Sequence, residues 1–266
     1  MGDAEQAIAR MGELAKALSR ALDADVSPKR SAEYRELVGA LEEGAVQVAW
    51  VPPLLAACPV RDGTIVPIAV AVRSGATSYS AGLISRADSP VRCATDLRSV
   101  RAAWVDRQSA SGYVAIRQAL RATGLHLREA FGEEVFAKSH SEVARLVAEG
   151  SVDVGATYFS WAPDGSSIER AGWMGLPGID PEGFRLVAEA GPIPSDMFAV
   201  HSGMDKHLVA ALESALVDGR PRGARRPARQ LTQADGFVRP TREHLAMLDA
   251  LASTQEPHSS VFPRAE

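Results

Sequence analysis

Trp104-Val105-Asp106-Arg107-Gln108-Ser109-Ala110-Ser111-Gly112-Tyr113 is the stretch on which the reading of the whole chain turns. Ahead of it, the apolar segment Ala102 to Val105 reads as the end of a buried strand. Behind it, Ser109, Ser111 and Gly112 open a helix whose inward face is Tyr113, Ile116 and Leu120 and which Gly124 stops. The sum is a strand, a hydroxyl-rich turn and a helix N-terminus. The first N–H groups of a helix lack intrahelical partners and carry about half a positive charge between them, so such a turn offers an anion donors already in place. A serine there also serves simply as an N-cap, and the residues alone leave both roles open.

Working outward, the chain is long enough for one large domain or two lobes: 266 residues, 46% of them hydrophobic, can bury a full core. A net charge of −4 gives no general attraction to nucleic acid or to an anionic membrane, so neither is expected as a partner. The longest apolar run, Ile65 to Val72 broken by Pro67, is far short of the ~20 residues of a membrane span. Two cysteines, Cys58 and Cys93, stand in no metal or redox spacing. Met1 to Arg10 lacks the basic and then apolar pattern of a secretory leader. The expectation is a cytoplasmic protein if the sequence is complete, and an exported or membrane-associated one if a leader was left out.

Ile8, Met11, Leu14, Leu18 and Leu22 recur at helical spacing. A second helix, Glu36 to Gly44 with Leu37, Ala40 and Leu41 inward, precedes a strand at Ala45 to Trp50 that Pro52-Pro53 ends. The same unit returns 106 residues later, where Glu142 to Gly150 leads into Ser151-Val152-Asp153-Val154-Gly155, and a copy in each half suggests two lobes of one design. Ile65 to Val72, Tyr79 to Ser85, Leu186 to Ala190 and Met197 to Val200 read as further strands, with Gly191 to Asp196 a stiff crossing between the last two. Asp164 to Pro181, rich in Gly and Pro, reads as a long surface connection. Its glycines open no helix, which rejects dinucleotide binding, and no cofactor is expected. Leu208 to Ala215 form a helix stopped at Gly219. Gly219 to Arg229, with five arginines and two prolines, reads as a solvated loop, and Ser253 to Glu266 as a tail after a helix carrying Leu245, Leu248 and Leu251. Strands alternating with helices predict an α/β architecture with parallel sheets and ligands at the strand C-terminal ends.

Several short motifs occur in order: Tyr79-Ser80, Asp88-Ser89-Pro90, Asp96-Leu97, Val105-Asp106 with Ser109 to Tyr113, Ser139-His140 with Val152-Asp153-Val154, Ile193-Pro194-Ser195-Asp196, and Asp235-Gly236-Phe237-Val238. From roughly Tyr34 to Leu251 the chain resembles the phosphonate and phosphite substrate-binding proteins of ABC transporters. The resemblance implies a two-lobed, type 2 periplasmic-binding-protein-like α/β fold with a ligand cleft between the lobes. It implies lobe one from residues 1–80 and 192–266, the C-terminal tail included, and lobe two from 81–191. The implied partners are a small anionic ligand and a transporter permease. The family's phosphoryl-binding hydroxyls fall on Ser109, Ala110 and Ser111, with Gly112 beside them; its tyrosine falls on Tyr79, its histidine on His140 and its ligand-facing aspartate on Asp196. Trp50 is a further candidate lining residue.

Besides Ala110 in place of a hydroxyl and Trp50-Val51-Pro52 in place of a tyrosine-bearing turn, two departures from the family bear on fold and ligand. The first strand is missing, because Gly2-Asp3-Ala4 runs directly into a helix. The resulting gap in lobe one is expected to be filled by a second copy through self-association, by the tail, or by a longer N-terminus. An acidic ligand-facing residue of the family falls on Ser160, so an aminoalkyl ligand is expected to bind poorly, and the ligand to be a bare oxyanion or one whose second group is neutral or aromatic. Two other readings stand beside transport: a cytoplasmic lyase of the same fold, of the menaquinone- or thiamine-precursor type, and a ligand-sensing module. Against the enzyme, there is no nucleophile–base pair and no metal spacing. His140 and Asp196 are the one acid–base pair it could use.

Overall fold

The computed structural model describes residues 3–31, 33–162, 164–220 and 223–255; Pro221 and Arg222 of the arginine-rich segment and residues 256–266 of the tail lie outside them. The chain begins with α1 (Asp3–Leu22), in which Leu14 and Leu18 are buried but Ile8 is 52% exposed. The apolar stripe meets the core only after the first two turns. Then follow α2 (Tyr34–Glu42), β1 (Val48–Val51) and α3 (Pro53–Arg61). β1 stops at Val51, directly before Pro52-Pro53, and Pro53 also opens α3, standing in its first turn, where a missing N–H costs no hydrogen bond and φ is already set.

The strands β2 (Ile65–Val72), β3 (Ser78–Arg86) and β4 (Val100–Trp104) come next. A π-helical turn (Ala110–Val114) runs directly into α4 (Ala115–Ala122). The short α5 (Leu127–Ala130), β5 (Phe131–Phe136), α6 (His140–Ala148), β6 (Val154–Trp161) and β7 (Ile168–Ala171) follow. The chain continues through β8 (Phe184–Pro194), β9 (Met197–His201), α7 (Lys206–Glu213), α8 (Arg225–Thr232), β10 (Gly236–Val238) and α9 (Arg242–Thr254). These elements divide into two compact units. Among the described residues, unit one holds those up to Ser78 with Pro194–Leu248, and unit two holds Tyr79–Ile193 with those from Asp249 on.

In unit one the strand order is β1-β9-β2-β10, and every pairing is antiparallel. This corrects the expectation of a parallel sheet. β1 and β2, joined by the α3 crossover, do run the same way, but β9 returns between them and opposes both. No strand precedes α1 among the described residues, yet no gap follows from that. Val200 of β9 stands opposite Val48 on one side and Val66 on the other. Leu14, Ala17 and Leu18 of α1 bury against Ile68, Ala69, Phe198 and Phe237 of this sheet. The segment expected as an arginine-rich loop contributes α8 to the same core. Ala224 and Ala228 are fully buried, α8 lies along α1, and Arg225, Arg226 and Arg229 remain exposed. Alanines at i and i+4 make one buried stripe between the charges.

In unit two the order is β5-β4-β6-β3-β8, with β7 joined to β6. β4 is parallel to β5 and β6, whereas β3 and β7 run antiparallel to β6. Val143, Ala144 and Val147 of α6 pack on Ala103, Val105 and Phe159 to form the core. The segment Asp164 to Pro181 is not only a surface connection: it supplies β7, and its Trp173 is 3% exposed within that core.

Candidate functional site

The three parallel strands of unit two deliver their C-terminal ends to one edge of the sheet, where a ligand is expected in an α/β layer. β4 ends in the turn that carries Ser109 to Gly112. β5 ends in Lys138 and Ser139, with Ala137 N and Lys138 N donating to Trp104 O and Val105 O (2.8 and 2.9 Å), so the start of α6 lies beside the start of the π turn. β6 ends in Tyr158 to Trp161. The antiparallel neighbours bring the beginning of β3, with Tyr79 and Ser80, and the short β7, with Arg170, to the same edge: Ser80 is paired with Phe159, and Arg170 with Ser160.

Each side chain there has a structural cause. Ser109 caps the π turn, accepting from Gly112 N at 3.0 Å, and Val114 N donates to Ser109 O at 3.0 Å in the i to i+5 pattern. The turn folds back on its own strand, with Val105 N donating to Gly112 O, so a Cβ on residue 112 would sit 2.6 Å from Val105 Cβ. Only glycine fits. Ala110 and Ser111 are buried, Ser111 at 3% exposure, and the Ser111 hydroxyl makes no hydrogen bond among the described residues. The amides of Ala110 and Ser111 stand ahead of the hydrogen-bond ladder.

His140 is the first residue of α6, behind the cap Ser139, whose hydroxyl accepts from Glu142 N. Its Nδ1 lies 3.0 Å from Thr157 Oγ1, and its ring meets the Tyr158 ring edge-on at 4.9 Å. Burial pushes the imidazole down to about 4, so the ring is neutral at physiological pH. Tyr158 also meets Tyr79 edge-on at 6.4 Å. Ser160 is buried and accepts from Arg170 Nη2 at 3.5 Å, while the Arg170 guanidinium lies 5.4 Å from the centre of the Tyr158 ring.

Tyr79, Ser109, Ala110, Ser111, Gly112, His140 and Ser160 thus share one edge of unit two. Trp50 and Asp196 belong to unit one. Trp50 packs on Phe198 and Phe237 with ring centres 4.9 and 6.1 Å away, and Asp196 forms an ion pair with Arg73 at 3.3 Å. Arg170 was missed by the sequence reading because it lies inside the Gly/Pro-rich segment. No local signal marked it: Ile168-Glu169-Arg170-Ala171 reads apolar, polar, polar, apolar and lacks the alternation of a strand. Among the described residues no group of His, Cys, Asp and Glu is arranged to hold a metal, and no helix is long and apolar enough to cross a membrane.

Residues 1–245 match the family model of the periplasmic substrate-binding protein of phosphonate ABC transporters. A protein from Xanthomonas citri bound to ATP superposes with a TM-score of 0.75 at 19% identity, covering 93% of both chains. PhnD1 from Prochlorococcus marinus in complex with methylphosphonate gives 0.65 at 14% identity, covering 95% of this chain and 94% of its own. A binding-protein component of an ABC phosphonate transporter from Pseudomonas aeruginosa gives 0.64 at 20% identity, covering 93% and 81%.

Proposed function

The chain belongs to the phosphonate substrate-binding proteins of ABC transporters, and from that premise we propose that the sheet edge of unit two captures the phosphonate- or phosphate-like group of a small solute, with Ser109 and Ser111 as its principal side-chain donors. Family membership makes a small ligand and a transporter permease the partners, and the periplasm the normal compartment of its members. The observation that carries the site assignment is the paired state of the two hydroxyls. Ser109 Oγ already accepts from Gly112 N, which leaves its proton to donate, and the Ser111 hydroxyl has no hydrogen bond among the described residues to give up. Neutral His140 adds a donor rather than a charge. When the Thr157 hydroxyl donates to Nδ1, the ring proton sits on Nε2, so an anion meets dipoles and N–H groups without a fixed counter-ion. Methylphosphonate and ATP, held by two neighbours of this fold, share the phosphorus oxyanion that such donors suit.

The test is isothermal titration of methylphosphonate, phosphite and phosphate into the native chain and into Ser111→Ala. A hydrogen bond to a charged group contributes ~1.5–3 kcal/mol, so the variant is expected to bind about 10- to 100-fold more weakly. Equal affinity in the two proteins removes Ser111 from the site. Aminoethylphosphonate is expected to bind more weakly than methylphosphonate, since its ammonium would meet Ser160 and a guanidinium instead of a carboxylate.

A further inference from the structure

Among the described residues Arg170 is an arginine without a counter-ion. Its one hydrogen bond among the described residues is the long contact with Ser160 Oγ at 3.5 Å, and its Nε is buried with no partner. Arg73, Arg101 and Arg117, also partly buried, are closed off by Asp196, Asp153 and Glu134, whereas Arg185 at the start of β8, whose Nη1 is likewise buried without a partner, gives Nη2 to Ala87 O. A guanidinium stays charged at any accessible pH, and taking it partly out of water without an acceptor is costly. A polar group kept in that condition at a sheet edge is a candidate for a ligand contact.

Its placement names the ligand chemistry. The guanidinium lies over the Tyr158 ring, and the same ring meets Tyr79 and His140, so Arg170 is continuous with the edge that carries the serine turn. We propose that Arg170 forms a second anion subsite, and that the solute is a small organophosphorus acid bearing a second acidic group, its phosphoryl end at Ser109 and Ser111 and its carboxylate at Arg170 and Ser160. This rests on the reading of the serine turn given above. The planar fork of a guanidinium matches a carboxylate through two parallel hydrogen bonds, and the Ser160 hydroxyl beside it can reorient to donate. An ammonium in the same place would face a cation.

Calorimetric titration of methylphosphonate, phosphonoacetate, phosphonopropionate and aminoethylphosphonate into the native chain, Arg170→Gln and Arg170→Lys tests this. In the native chain the phosphonocarboxylate whose spacer fits is expected to bind about 10- to 100-fold more tightly than methylphosphonate. Arg170→Gln is expected to abolish that advantage while methylphosphonate changes by less than about threefold, and Arg170→Lys to keep part of it. Should Arg170→Gln not fold, Ser160→Asp places a carboxylate against the guanidinium and is expected to remove the same advantage. Phosphonocarboxylates no tighter than methylphosphonate in the native chain, or an equal loss for both ligands in Arg170→Gln, overturn the second subsite. Failure of all four compounds to bind the native chain overturns instead the serine-turn reading on which it rests.

Discussion

Each unit sets an arginine against an aromatic ring, and the two are treated differently. In unit one, Arg73 lies 6.0 Å from the centre of the Trp50 ring and gives its Nη2 to Asp196 at 3.3 Å and to Thr232 O at 3.1 Å. In unit two, Arg170 lies 5.4 Å from the Tyr158 ring and has one serine hydroxyl at 3.5 Å. Stacking supplies attraction in both places, of the order of ~1 kcal/mol. The difference lies in who completes the charge. Asp196, the position at which the family resemblance puts a ligand-facing carboxylate, is engaged by a cation of its own unit. Ser160, the position at which it puts another acidic residue, leaves a cation open. A family-wide set of site positions therefore cannot be carried over without asking which side chains now neutralise one another.

The largest effect expected concerns how the open edge is held. A Cβ on Gly172 would collide with Thr157 Oγ1 and come within 3.0 Å of His140 Cβ, and Thr157 is fully buried. Gly172→Ala is expected to cost about 3 kcal/mol in urea unfolding, at the upper end of overpacking, and to displace His140. An unchanged midpoint would show the edge to be soft and the contrast between the units overstated.

Acid comes next. The folded state holds His140 near 4 against an ordinary value near 6.5, so between those values the unfolded chain binds the proton and the folded chain does not. Stability is then expected to fall as pH drops from 6.5 towards 4, by about 2 kcal/mol at pH 5 from this group, and His140→Gln to flatten that slope. Burial lowers His244 as well, in the same direction, so its contribution should remain in the variant. Asp196→Ala, which leaves Arg73 without its carboxylate at a site that is one-third exposed on the aspartate side, is expected to cost about 1–2 kcal/mol. Arg170→Gln should alter stability by less than about 0.5 kcal/mol, because the lost stacking on Tyr158 is offset by removing a buried, unpartnered Nε and no ion pair is broken. If thermal unfolding ranks these two the other way round, the distinction between a closed and an open arginine fails.

Periodicity carried much of the fold. The stripe of α1, the apolar run of β2 and the strand–turn–helix at Trp104 to Leu120 all follow from it, and the ordered motifs pointed to the family. What escaped it was masked by residues that usually punctuate. Pro52-Pro53 concealed α3 because a proline ahead of a helix looks the same as one behind a strand. The two prolines and five arginines of Gly219 to Arg229 outweighed a two-alanine stripe that buries α8. β5, whose Gly132, Glu133 and Glu134 are exposed at a sheet edge, has no alternation to detect. The antiparallel course of unit one depends on where β9 inserts, and that is a long-range fact no local window contains. The serines, His140, Tyr79 and Ser160, which the structure brings to one sheet edge, were singled out through the family resemblance. Arg170 was not, because a four-residue strand after a glycine-rich stretch is too short to outweigh its surroundings.

The π turn at Ala110–Val114 makes chain length a variable of the site. Closing i to i+5, it holds one residue more than an α turn would. Removing Ala110, a small residue with a methyl where the resembled family carries a hydroxyl, would let the ladder close i to i+4. It would also turn whatever precedes the helix by about 100° around its axis. β4 and α4 could both survive such a loss while Ser109 changed its position relative to Ser111. Insertions and deletions are usually tolerated in turns like this one; here a single codon sets the spacing of the two serines proposed above as donors to an anion.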